Sequence, residues 1–228
     1  EYLWEADPYT GNFTGVFQAS SALITVEPTH EFTSAVDAGA VILAASTDGN
    51  IYSLKDVSGT LQLKGQSRIG DEEVEAITAL EGIIFFGTQE RGTNKGRLYR
   101  SDLVVADDLY VLANRQLLKE WDNGVDASPH AMFASRDSVY IGVRESVSET
   151  YLWRYYLPTA GLARDLKVPG AGIVNGIDQT GGKFFVLVEG TSGGVYKETS
   201  TYESTGYIIL PNADFFTLED KQWVGVEV

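Results

Sequence analysis

An aliphatic–aromatic pair recurs five times along the chain, as Leu3-Trp4, Ile51-Tyr52, Leu98-Tyr99, Leu152-Trp153 and Val195-Tyr196. Successive aromatics are 48, 47, 54 and 43 residues apart. Glycine stands three positions before the aromatic in three pairs, as Gly49, Gly96 and Gly193. The other two pairs share a longer match, Tyr2-Leu3-Trp4 with Tyr151-Leu152-Trp153. Such a period constrains the fold more than any composition does. It calls for one supersecondary unit, copied and stacked on its neighbours.

Other short apolar runs keep step with the pair. Val41-Ile42-Leu43-Ala44, Ile83-Ile84-Phe85-Phe86, Val139-Tyr140-Ile141-Gly142 and Phe184-Phe185-Val186-Leu187 precede four of the pairs. Each is β-branched or aromatic and bounded by Gly, Asp or Ser, which reads as strand rather than helix. Further upstream lie Ala35-Val36, the run Val74 to Leu80, Ala131-Met132-Phe133 and the run Ile173 to Ile177. After the aromatic come Leu61-Gln62-Leu63, Tyr110-Val111-Leu112, Leu162 to Leu166 and Tyr207-Ile208-Ile209. Asp71 to Leu80 opens with acids as a helix would, but its β-branched residues and its place in the repeat make it a strand. Thr47-Asp48-Gly49-Asn50 supplies the positive φ of a tight hairpin, and Gly92, Gly181-Gly182 and Gly190 serve similar turns.

Four antiparallel strands in a unit of roughly 40 to 50 residues predict an all-β chain, a β-propeller of four-stranded blades. Residue 1 enters at a third strand, and Trp223-Val224-Gly225-Val226-Glu227-Val228 alternates as a strand does. Two arrangements follow. Either five blades close into a ring, the first blade split between the termini so that no edge is left open, or the chain is an arc of a larger ring. Residues 1–212 hold the repeats, and 213–228 form a closing strand or begin a following module. Without an initiator Met or a signal peptide, the chain reads as a piece of a longer protein or a processed product.

Composition removes several partners. With 17 Lys+Arg against 32 Asp+Glu the net charge is −15, which repels phosphate backbones and anionic membranes. No nucleic-acid partner and no membrane insertion are expected, and no apolar run is long enough for a spanning helix. The absence of Cys removes disulfides, thiolate chemistry and Cys-based zinc sites. Glycines fall at repeat positions and form no phosphate-binding loop, so no cofactor is expected. Gly142-Val143-Arg144 is no nucleophile elbow.

Neither catalytic nor metal residues are assigned. A propeller glycosidase, the enzymatic alternative, needs two converging carboxylates. Asp37, Glu75, Glu81 and Asp178 are the inner-strand acids available, and turn or rim roles are expected for them. Asp7-Pro8 follows a third-strand motif, the wrong place for such an acid. His30 and His130 each follow a Pro within two residues and precede an inner strand, which repeat geometry explains without a metal. The acids at Asp48, Asp71-Glu72-Glu73 and Asp107-Asp108 read as solvated loops. Asn12-Phe13-Thr14 is a glycosylation sequon. The better lead is aromatic: Tyr151, Tyr155, Tyr156, Tyr202 and Tyr207 cannot all face the core if strands alternate. Tyrosine joins a stacking face to a polar tip, which suits protein or sugar contact. Tyr151, Tyr155, Tyr156 and Tyr202 are therefore the candidate binding residues.

Ser46-Thr47-Asp48-Gly49-Asn50-Ile51-Tyr52-Ser53-Leu54 resembles the hairpin of PQQ-like and other repeat propellers, a mark of fold and not of activity. Gly206-Tyr207-Ile208-Ile209, then Asp214-Phe215-Phe216-Thr217, then Lys221-Gln222-Trp223, preceded by Tyr202-Glu203-Ser204-Thr205, resembles minor tail and virion structural proteins of bacteriophages infecting actinobacteria. The resemblance covers about 30 residues. It implies a non-enzymatic module of a phage tail or tail tip, located in the virion, with other tail proteins and a host-surface glycan as partners. In that family the segment leads into a following domain. The alternative is a lectin-like, secreted or surface-bound propeller with weak sites gaining strength by multivalency.

Overall fold

The computed structural model describes residue 24 and residues 26–169, 171–190 and 193–198, with the backbone of 208–209. The described residues form four antiparallel sheets. Blade 1 holds β1 (Phe32–Asp37), β2 (Ile42–Ser46), β3 (Asn50–Val57) and β4 (Thr60–Arg68). Blade 2 holds β5 (Glu72–Leu80), β6 (Ile83–Glu90), β7 (Gly96–Ala106) and β8 (Leu109–Trp121). Blade 3 holds β9 (Ala131–Ser135), β10 (Ser138–Arg144), β11 (Thr150–Tyr156) and β12 (Gly161–Val168), and blade 4 holds β13 (Ile173–Thr180), β14 (Lys183–Glu189) and β15 (Gly194–Lys197). Within each sheet the strands pair in chain order. The first strands then touch in succession, β1 with β5, β5 with β9 and β9 with β13. Successive meanders joined along their first strands make a β-propeller.

The recurring pair explains how the blades stack. Adjacent residues of a strand face opposite sides. In blades 1 to 3 the aliphatic member, Ile51, Leu98 or Leu152, is fully buried toward the next blade. Ile51 packs with Val74, Ile77 and Phe86 of blade 2. Leu98 packs with Ile141 and Trp153 of blade 3. Leu152 packs with Val174, Phe184 and Val186 of blade 4. The aromatic member faces the preceding blade, as Tyr99 does toward Leu43 and Ile51. Tyr52 has no blade before it among the described residues, and Ile24 and Val26 cover it instead.

Approach is closest where the second strand meets the next blade. A Cβ on Gly87 would lie 2.5 Å from the Pro129 Cβ, and one on Gly142 would lie 2.4 Å from the Val174 Cβ. Only glycine fits these two seams. At Gly49, with φ +83°, the expected Asp-Gly hairpin joins β2 to β3.

The third-strand motifs Ile51-Tyr52, Leu98-Tyr99, Leu152-Trp153 and Val195-Tyr196 fall on β3, β7, β11 and β15 as expected, and Leu3-Trp4 lies outside the described residues. Asp71 to Leu80 yields the strand β5. One placement differs. Ile208–Ile209, expected as the fourth strand of blade 4, form β16, which pairs with Leu162 and Ala163 of β12 on the edge of blade 3. An unpaired outer edge takes up a strand wherever its hydrogen-bonding groups are free.

Candidate functional site

The aromatic of the repeat carries a polar handle, and in three blades a carboxylate holds it. Tyr52 donates its hydroxyl to Asp48 Oδ2 at 2.6 Å. Tyr99 donates to Glu72 Oε1 at 2.9 Å. Trp153 donates its indole N–H to Glu145 Oε1 at 2.6 Å. Burial and the neighbouring Glu72 carboxylate push the Tyr99 hydroxyl up to about 12. Burial and Asp48 move Tyr52 in the same direction.

Around these clasps the charges interlock. Arg97 reaches Glu72 at 2.9 Å, Glu90 at 3.2 Å and Glu120 at 2.7 Å, binding all four strands of blade 2. Thr88 also donates to Glu72. Glu145 takes a second bond from Arg164 Nε at 3.0 Å, and the Arg164 guanidinium lies 4.5 Å from the centroid of the Tyr151 ring. Lys119 stands over both Trp121 and Trp153, and desolvation there lowers its pKa.

His130 ties two blades together. It sits just before β9, where the sequence places it. Its Nδ1 lies 3.2 Å from Glu75 Oε2 of blade 2, and its Nε2 lies 3.3 Å from Asp126 Oδ2 of the connecting segment. Glu75 reaches it because β5 bulges between Val74 and Ala76. Burial opposes the charged imidazole, but hydrogen bonds from Asp126 and Glu75 outweigh it and hold His130 up to about 9. Burial likewise opposes the Asp126 charge, and the bond to His130 overcomes it. A carboxylate–imidazolium–carboxylate bridge of this kind binds one blade to the next.

The tyrosines expected to form a binding surface do not come together. Tyr151 and Tyr155 are 9% and 1% exposed, packed with Trp153 on one face of β11 against blade 2. Both faces of a blade are covered in a stack, so strand alternation does not bring every second aromatic to solvent. The Tyr155 ring sits 5.1 Å from Phe85, and its hydroxyl accepts a bond from Arg100. Tyr156 points the other way and reaches solvent. Tyr202 and Tyr207 lie outside the described side chains, as does Asp7.

The inner-strand acids have separate tasks. Asp37 accepts the N–H of Gly39 in a turn, Asp178 accepts that of Gln179, and Glu75 is held by His130. Glu81 sits in the β5–β6 turn with φ +52°. Among the described residues no group of three or more His, Asp or Glu is placed to hold a metal ion. Several acids expected in solvated loops are paired instead. Glu73 meets Arg91, and Asp108 meets Lys55 and Lys64, each at 2.8 Å, joining the tip of the β7–β8 hairpin to blade 1.

Two surface features remain. A small cleft of about 90 Å³ opens between blades 3 and 4, walled by Leu152, Val168, Phe184 and Tyr196 with Lys167 and Lys197 at its edge. The β7–β8 hairpin, with strands of 11 and 13 residues, ends in an apolar tip where Val105 is 56% and Leu109 53% exposed.

Solved structures similar to this chain include the computationally designed Ika4 protein, at 15% identity and a TM-score of 0.47, covering 78% of this chain and 97% of that one. The designed Ika8 protein matches at 15% identity and 0.47, covering 72% of this chain and 45% of the other. The β-propeller domain of Myceliophteria thermophila Cps50 (Swd1) matches at 16% identity and 0.48, covering 74% of this chain and 53% of its own length. The chain thus spans about half the length of the last two. No family model and no curated protein matches it.

Proposed function

We propose that this chain is a non-enzymatic docking module, a rigid propeller whose surface makes protein contacts. The observation that carries the reading is the apolar tip of the β7–β8 hairpin. Val104, Val105 and Leu109 are exposed on the longest strands of the described residues. The hairpin is braced at its turn by Asp108 with Lys55 and Lys64. Exposed apolar side chains on a braced projection suit a partner surface.

The specific form of the reading is a virion role in a phage tail or its tip, with contacts to other tail proteins and to a host-surface glycan. Its support is the resemblance carried by Gly206 to Ile209, Asp214 to Thr217 and Lys221 to Trp223. The ring is read as five-bladed, with one blade shared between the termini. Five copies of the pair support it, four of them on the four described blades. Immunogold labelling of the encoding particles with antibody to this chain should mark the tail. Particles free of the protein would contradict the virion role. Val105→Ser with Leu109→Ser should weaken binding to neighbouring tail proteins and leave the fold intact.

A further inference from the structure

Blade 4 presents a face built for another blade. Across the second and third strands, Phe85 pairs with Arg100 and Gly87 with Leu98 in blade 2. Tyr140 pairs with Arg154 and Gly142 with Leu152 in blade 3. The matching pairs of blade 4 are Phe185 with Lys197 and Leu187 with Val195. Leu98 and Leu152 are fully buried by the following blade, yet Val195 is 69% and Leu187 46% exposed. The pattern of an inter-blade seam is complete, and its cover is missing among the described residues.

We infer that the segment carrying Tyr2-Leu3-Trp4 covers this face, with Trp4 seated against Phe185 and Val195. Three observations lead there. The tripeptide repeats Tyr151-Leu152-Trp153, whose Trp153 shares one packed layer with Phe85 and Leu98, the counterparts of Phe185 and Val195. Ile24 and Val26 pack on Tyr52 and Leu54, on the side of blade 1 that faces away from blade 2, so the preceding residues leave from where an adjoining blade stands. Leu187 replaces the glycine of blades 2 and 3 and fills the volume that Pro129 or Val174 takes at their seams. The contact therefore falls to the third-strand pair rather than to a first strand. The inference rests on the five-bladed reading and names the residue that seals it.

Val195→Cys gives the full chain a single thiol, since it has no other cysteine. Modification by a maleimide should be at least about tenfold slower than at an exposed reference, Val147→Cys. Adding Trp4→Ala should restore the fast rate at position 195 while circular dichroism stays that of a folded β protein, and Trp4→Phe should keep most of the protection. A fast rate at Val195→Cys in the unaltered background overturns both the seat and the ring. Protection that survives Trp4→Ala overturns the seat and leaves the ring. Protection that disappears on dilution assigns the face to a second copy and overturns the inference.

Discussion

Glu145 and Trp153 lie eight residues apart in sequence and meet at 2.6 Å, the carboxylate accepting the indole N–H with its own side chain only 8% exposed. Arg164 occupies the other side of the carboxylate. Removing Glu145 leaves an indole N–H and a guanidinium facing a dry seam between blades 2 and 3. Glu145→Ala should cost about 3 kcal/mol, since a broken buried pair strands the remaining charge. Glu145→Gln should cost less, because the amide oxygen still accepts from Trp153. Urea unfolding followed by tryptophan fluorescence measures both.

Stability should fall in alkali through His130. Its folded pKa, about 9, lies above its model value of 6.5. The bridge therefore contributes fully below about pH 6.5 and is lost as pH rises through about 9. The contribution is on the order of 3 kcal/mol. His130→Gln should flatten the fall in melting temperature between those two values. A wild-type profile that is flat there would contradict the bridge.

Arg97 faces three carboxylates, and Glu72 beside it is largely buried with Tyr99 and Thr88 bound to it. Arg97→Ala leaves Glu72 without its cation and should cost about 2 to 4 kcal/mol. Arg97→Lys should recover only part of that, because an ammonium cannot span three carboxylates as a guanidinium does. Removing the exposed Asp108 should change stability far less, as surface pairs contribute little.

The strands were legible because their signals are local. A run such as Ile83-Ile84-Phe85-Phe86 shows its strand in four residues, and Asp48-Gly49 shows its turn in two. The Leu98-Tyr99 pair shows its blade by period alone. The clasps were not legible, because each blade supplies its acid from a different place. Asp48 precedes Tyr52 by four residues, Glu145 precedes Trp153 by eight, and Glu72 precedes Tyr99 by 27. Glu75 and His130 are brought together by a bulge and by the stacking of two blades, neither of which has a sequence marker. Tyr151 and Tyr155 were misplaced for a related reason. Alternation tells which side chains share a face but not that both faces are covered. The acid before each third strand was the one available hint, and repeat alignment about the aromatic would have exposed it for Asp48 and Glu145.

The central claim is that each blade is sealed by the close approach of the next, and Gly142→Leu tests it most directly by thermal unfolding. A side chain at Gly142 would meet Val174 of blade 4 at 2.4 Å from its first carbon. The account predicts a loss of about 1 to 3 kcal/mol or more, outweighing the usual gain from removing a strand glycine. A Gly142→Leu protein that melts at or above the wild-type temperature would contradict it.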